Sequence, residues 1–175
     1  MLKIILISFA VLIVVVLIVA ATKPDTFSVQ RSVSIKAAPD KVFALINDFK
    51  FWTGWSPWEK MDPAMKRIHS GADNGKGAVY AWEGNSKVGA GRMEILESTV
   101  PSKIVIKLDF IRPFEGHNIA EFSLQPSGEI TNVTWVMHVP SNYIAKLMQV
   151  FASMDSLIGK DFEAGLNNMK ILAEK

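Results

Sequence analysis

The chain has 175 residues, and 19 Lys and Arg against 17 Asp and Glu leave a formal net charge of +2. That surplus is too small for nucleic-acid binding, and no basic block interleaves with aromatics. The absence of cysteine excludes thiol chemistry, Cys-based zinc sites and disulfides, and the 49% apolar share is raised by a single N-terminal run.

That run, Ile4 to Ala21, has 18 residues with Ser8 as its only polar member. As a helix it spans about 27 Å, close to the roughly 30 Å hydrocarbon core of a bilayer. A cleaved signal peptide is the first competing reading. Its apolar core is usually about 7–15 residues, and Val19-Ala20-Ala21 is an imperfect cleavage site. A buried core helix is the second, but it would carry more polar positions. A single-pass membrane anchor at residues 4–21 is the expectation. Lys23, Arg31, Lys36 and Lys41 outnumber Lys3 and favour a cytoplasmic domain, whereas short N-terminal anchors commonly export the domain attached to them; both sides stay open. Residues 1–25 are then anchor and linker, and residues 26–175 one domain large enough to bury a core.

Thr22 to Asp25 form the linker, with Pro24 ending the helix. Phe27, Val29, Arg31, Val33 and Ile35 alternate with mostly polar neighbours, as in a half-buried strand. Ala38-Pro39-Asp40 opens a helix with Val42, Phe43, Leu45, Ile46 and Phe49 on one stripe. An aromatic turn comes next, from Phe51 to Trp58, and its Trp52, Trp55 and Trp58 are expected to plug one end of the sheet. Six strands of a meander succeed it, near Met65–Ser70, Gly77–Glu83, Lys87–Ser98, Lys103–Phe110, His117–Gln125 and Ile130–Val139. Ser141 is placed to cap the closing helix. There Ile158, Phe162, Leu166, Met169 and Leu172 recur at helical spacing. Gly159 and Gly165 in that helix signal either close packing or room for a ligand.

Strand, helix, six-strand meander and long C-terminal helix make an α+β fold of the helix-grip type. A seven-strand antiparallel sheet curls around the last helix and leaves a cavity between them. Successive turns of a meander alternate between its ends. The turns at Gly84–Ser86, Ile111–Gly116 and Pro140–Asn142 therefore gather at one end, and Ile111, Phe114 and Tyr143 are candidates for an apolar rim there.

Three stretches carry a resemblance. They are Trp55-Ser56-Pro57-Trp58; the Gly/Trp block Gly75 to Asn85 continuing through Gly89-Ala90-Gly91-Arg92-Met93-Glu94-Ile95; and Ile158 to Leu166. Together they resemble the polyketide cyclase/dehydrase-like branch of the START/Bet v 1 (SRPBCC) superfamily, over about Thr26 to Lys175. The resemblance implies a helix-grip fold with an internal apolar cavity, while chemistry has to be argued from the site.

Trp82 and Trp135 are the best candidates to line a pocket, joined by Ile106, Phe122 and Phe162. Glu83 and Arg92, with Glu94 and Glu97 nearby, are either cross-strand surface pairs or polar anchors inside the cavity. His69, His117 and His138 lie far apart, and no HExxH, Ser/His/Asp set or phosphate loop is present. No catalytic residue, metal or cofactor is assigned. The expected function is binding of a small lipophilic molecule at the membrane. A cyclase or dehydratase-type enzyme using a polar group in the same cavity, or an interaction module without a ligand, are the alternatives.

Overall fold

The computed structural model describes residues 1–151 and 153–175. Helix α1 (Leu2–Ala21) is long and apolar enough to cross a bilayer. Ala20 is its only buried residue, so it is not a core helix of the domain. After a four-residue linker β1 (Thr26–Ile35) begins, followed by α2 (Pro39–Asn47) with Pro39 at its first turn, where the missing N–H costs nothing.

The sheet has seven strands in the order β1-β7-β6-β5-β4-β3-β2, every neighbouring pair antiparallel. The strands after β1 are β2 (Lys66–Gly71), β3 (Ala78–Glu83), β4 (Ala90–Thr99), β5 (Lys103–Arg112), β6 (Gly116–Ser127) and β7 (Ile130–Pro140). This meander with a long C-terminal helix across its concave face is the helix-grip α+β architecture. Alternation explains the faces. Ile104 and Ile106 on β5, Phe122 on β6 and Val133 and Trp135 on β7 are buried inward, while their neighbours are partly exposed.

Strand β4 begins at Ala90 rather than at Lys87. Residues 85–89 fold into a turn in which Gly84 N–H donates to the Gly89 carbonyl at 2.8 Å. Gly89 has a φ of +64°, a left-handed conformation that ends the strand pattern. The aromatic turn is also more ordered than expected, containing α3 (Trp52–Trp55) and α4 (Trp58–Met61). Nor do its tryptophans plug an end of the sheet. Trp52 and Trp55 are buried over Phe122 and Trp135, at centroid separations of 5.8–6.5 Å. Their indole N–H groups donate to the carbonyls of Ile46 and Leu45, satisfying α2 where its own ladder runs out.

The closing helical region is two helices, α5 (Tyr143–Phe151) and α6 (Met154–Ala173). Ser141 does not cap either. It is buried, with its N–H bonded to the Asp25 carbonyl and its Oγ accepting from Gln149 Nε2. Asn142 Oδ1 accepts from Ala145 N–H instead, and Ser153 Oγ accepts from Ser156 N–H at the start of α6. Phe162, Leu166, Met169 and Ala173 line the buried stripe of α6.

Candidate functional site: an apolar cavity with one polar edge

Between α3, α4 and the concave face of the sheet lies a cavity of about 90 Å³. Its wall includes Trp52 and Trp58 from the aromatic turn, Tyr80 and Trp82 from β3, and Met93 from β4. Leu108 and Phe110 from β5, Ala120 from β6 and Trp135 from β7 also line it, with Ser56, Glu59, Met65 and Val88. Side chains two residues apart on adjacent strands converge there because the register sets Tyr80 against Met93 and Met93 against Leu108.

One edge is polar. Glu59 of α4 is buried, and both carboxylate oxygens are engaged: Tyr80 Oη donates to Oε1 at 2.5 Å and Arg67 Nε to Oε2 at 2.7 Å. Arg67 also donates to the Met65 carbonyl at 2.7 Å. Burial first, and then the Glu59 carboxylate, push the Tyr80 hydroxyl above its ordinary range, so it remains a donor. A second polar feature is Trp135, whose ring is stacked on Phe162 at 3.8 Å and on Phe122 at 4.8 Å. Its Nε1 is buried and has no hydrogen-bond partner among the described residues. Trp82 differs, because its Nε1 donates to the Val88 carbonyl at 3.0 Å.

Of the expected lining residues, Trp82 and Trp135 stand on the cavity wall. Ile106, Phe122 and Phe162 lie in the fully packed core behind it. Strand parity identifies the inward face but not depth: Trp52 and Trp55 pack over Phe122, and Phe162 of α6 stacks on Trp135. Glu83 and Arg92 do not face the cavity. They project from the outer face, where Arg112 pairs with Glu83 at 2.7 Å and Arg92 with Glu94 at 2.8 Å. The Glu59–Tyr80–Arg67 set escaped sequence reading because its members are 8 and 21 residues apart and meet only through the folding of α4. A signal was present nonetheless: Arg67 and Tyr80 occupy inward positions on β2 and β3, and an inward arginine calls for a buried acid.

The glycines resolve toward close packing. A Cβ at Gly159 would meet Arg31 Nη2 at 2.0 Å, and one at Gly165 would meet the Trp135 ring at 3.2 Å. Arg31, the polar member of the inward set on β1, passes over Gly159 to bond Asp155 at 2.9 Å and Glu163 at 2.6 Å. Gly91 serves the cavity wall itself. A Cβ there would lie 2.4 Å from Trp82 Cη2 and 2.6 Å from the Asp109 backbone oxygen. Gly91→Val should therefore lift the Trp82 ring, cost about 1–3 kcal/mol and shift tryptophan emission to the red. Thermal unfolding followed by fluorescence checks this, and unchanged emission would mean that Trp82 does not depend on Gly91.

At the end of the sheet where β3, β5 and β7 finish, a recess of about 450 Å³ opens beneath α5. Phe114, Met137, Ala145 and Met148 border it, and Phe110 borders both recess and inner cavity. Of the expected rim, Phe114 lies on this recess. Tyr143 starts α5, and its hydroxyl donates to the Leu17 carbonyl of α1 at 3.0 Å. Ile111 turns to the outer face beside Arg112.

The histidines have separate local partners. His138 meets Ser28, His117 meets Asp109, and the His69 ring lies against Tyr80. Among the described residues no group of three His, Cys, Asp or Glu side chains is arranged to hold a metal ion.

Residues 26–174 match the family described as polyketide cyclase/dehydrase and lipid transport. No curated protein matches the chain. The fold is similar to that of protein CV1439 from Chromobacterium violaceum, at 16% identity and a TM-score of 0.60, over 87% of this chain and 99% of that one. It is also similar to major latex-like protein 151 from Panax ginseng, at 14% identity and a TM-score of 0.59, over 87% and 100% of the two chains. A third similar structure is the di-domain ARO/CYC protein BexL of the BE-7585A biosynthetic pathway, at 16% identity and a TM-score of 0.62. That likeness covers 90% of this chain and 53% of BexL. At such identities these likenesses speak for the fold.

Proposed function

The chain belongs to the polyketide cyclase/dehydrase and lipid transport family, and from that premise we propose that its domain, residues 26–175, reversibly binds a small lipophilic molecule while α1 holds it at a membrane. The observation carrying this reading is the cavity wall, which is mostly aromatic and aliphatic, with Ser56 and the Glu59–Tyr80 edge as its polar members and the buried Trp135, whose Nε1 has no partner among the described residues, on one side. A ligand with one acceptor oxygen would complete the hydrogen bond that Trp135 lacks, and its apolar body would meet the aromatic wall. Ile106, Phe122 and Phe162 support that wall from behind, and Phe114 and Tyr143 flank the way in.

The inner cavity alone, about 90 Å³, equals the space of about three waters at about 30 Å³ each. With the recess included, the volume reaches the roughly 300–1,000 Å³ typical of ligand pockets. Binding thus involves displacement of Phe110, the side chain common to both chambers. Burying roughly 300 Å² of ligand apolar surface contributes about 7–8 kcal/mol gross. Association and ordering costs reduce this to a modest, reversible affinity.

The test is quenching of tryptophan emission in the full chain by N-phenyl-1-naphthylamine, with mass spectrometry of molecules extracted from the purified protein. Saturable quenching and a co-purifying lipophile are expected; no saturable quenching at any probe concentration would refute the reading. Phe114→Asp should slow probe uptake with little change in Tm, because Phe114 is exposed. Unchanged uptake kinetics would put the way in elsewhere. The enzymatic alternative has one observation in its favour, the acid and hydroxyl on the cavity edge. Both oxygens of Glu59 are already committed to donors, which favours a structural role over proton transfer.

A further inference from the structure

The end of the sheet that carries the recess also carries α1 and a set of uncovered apolar side chains. Helix α5 buries none of its residues fully. Ile144 is 69% and Phe151 75% exposed, and Phe114 at the tip of the β5–β6 turn is 79% exposed. Single exposed apolar residues are ordinary, but these belong to a helix and a hairpin tip that border one recess. The only charge on α5, Lys146, is drawn off the exposed face and paired with Asp25.

The position of α1 indicates what covers this surface. It packs against α5, and Tyr143 Oη bonds the Leu17 carbonyl, four residues inside the end of α1 at Ala21. Four residues of helix correspond to about 6 Å. Amphipathic helices lying in a membrane surface bury their apolar faces to about 5–10 Å, and tyrosine concentrates in that layer. A bilayer that accommodates α1 up to Ala21 would therefore reach the start of α5 at such a depth.

We propose that α5 and the β5–β6 tip form a membrane-docking surface, inserted into the interfacial layer of the bilayer that α1 crosses. The recess over Phe110 then opens to lipid rather than water, and the ligand is an amphiphile that partitions into that layer. This rests on the reading of α1 as a membrane span.

Because the chain contains no cysteine, single-cysteine variants report one position each. Full-length Phe114→Cys, Phe151→Cys, Leu12→Cys and Glu129→Cys would be labelled with a nitrobenzoxadiazole maleimide and reconstituted into phosphatidylcholine vesicles. Glu129 lies in the β6–β7 turn at the far end of the sheet, beyond the 11 residues of β7, about 35 Å away at 3.3 Å per residue. Labels at positions 114 and 151 should lose most of their emission to spin-labelled lipid and be shielded from aqueous iodide. The label at position 129 should behave oppositely. If positions 114 and 151 respond to iodide as position 129 does, while position 12 is quenched by lipid, the docking surface is refuted and the span stands. Shielding of positions 114 and 151 from both quenchers would mean that another protein copy covers them, which also refutes it. No lipid quenching at position 12 would overturn the span, and the docking surface with it.

Discussion

Ala120→Leu should abolish probe binding and at the same time raise thermal stability. Ala120 is buried on β6, set between Ile106 of β5 and Met137 of β7, and faces the inner cavity. Three added carbons would occupy space that the neighbours leave empty. Cavities cost about 24 cal/mol per Å³, so filling one of about 90 Å³ recovers up to about 2 kcal/mol. Strain of the new side chain takes back part of that gain. At about 2–4 °C per kcal/mol for a chain of this size, Tm should rise by a few degrees as saturable quenching disappears. A higher Tm with binding intact would remove the inner cavity from the function. A lower Tm would show that the wall cannot take the added volume.

Glu59→Ala should produce the largest loss of stability among single changes at the site. Removing one partner of a buried ion pair typically costs about 3–5 kcal/mol, since the remaining charge keeps its desolvation penalty. Here Tyr80 Oη also loses its acceptor, while Arg67 retains the Met65 carbonyl and about a quarter of its side-chain exposure. Screening and that surviving bond bring the expectation to about 2–3 kcal/mol. The double change Glu59→Leu with Arg67→Met should recover most of it, because paired replacement by apolar groups is often neutral or better. Thermal unfolding of the three variants decides the matter. An unchanged Tm in Glu59→Ala would mean that the triad contributes nothing to the fold.

The strand order and the apolar face of α6 are legible because both follow periods intrinsic to the backbone. Ile104 and Ile106 keep the two-residue period of β5, and Phe162, Leu166 and Met169 keep the helical one. What periodicity does not encode is how far a side chain lies behind its neighbours. Phe122 and Trp135 share an inward face and stack on one another, yet only Trp135 reaches the cavity. Polar partners are hidden for a related reason. Arg92 and Glu83 lie in the most distinctive motif of the chain, but their positions alternate to the outside, whereas Glu59 sits in a four-residue helix with no pattern of its own. Likewise, α5 packs against α1, an element outside the domain's own hydrophobic pattern.

The linker between α1 and β1 has a consequence for the lipophile binding proposed above. Thr22 to Asp25 are four residues, which even fully extended reach only about 14 Å. With α1 in a bilayer, the domain cannot leave the surface by more than that distance, and Tyr143 and Lys146 hold it closer still. For the lipophile binding proposed above, capture would then become a search in two dimensions at a raised effective concentration. Even a weak intrinsic affinity gives high occupancy under that condition, and release depends on how fast the amphiphile diffuses away within the leaflet.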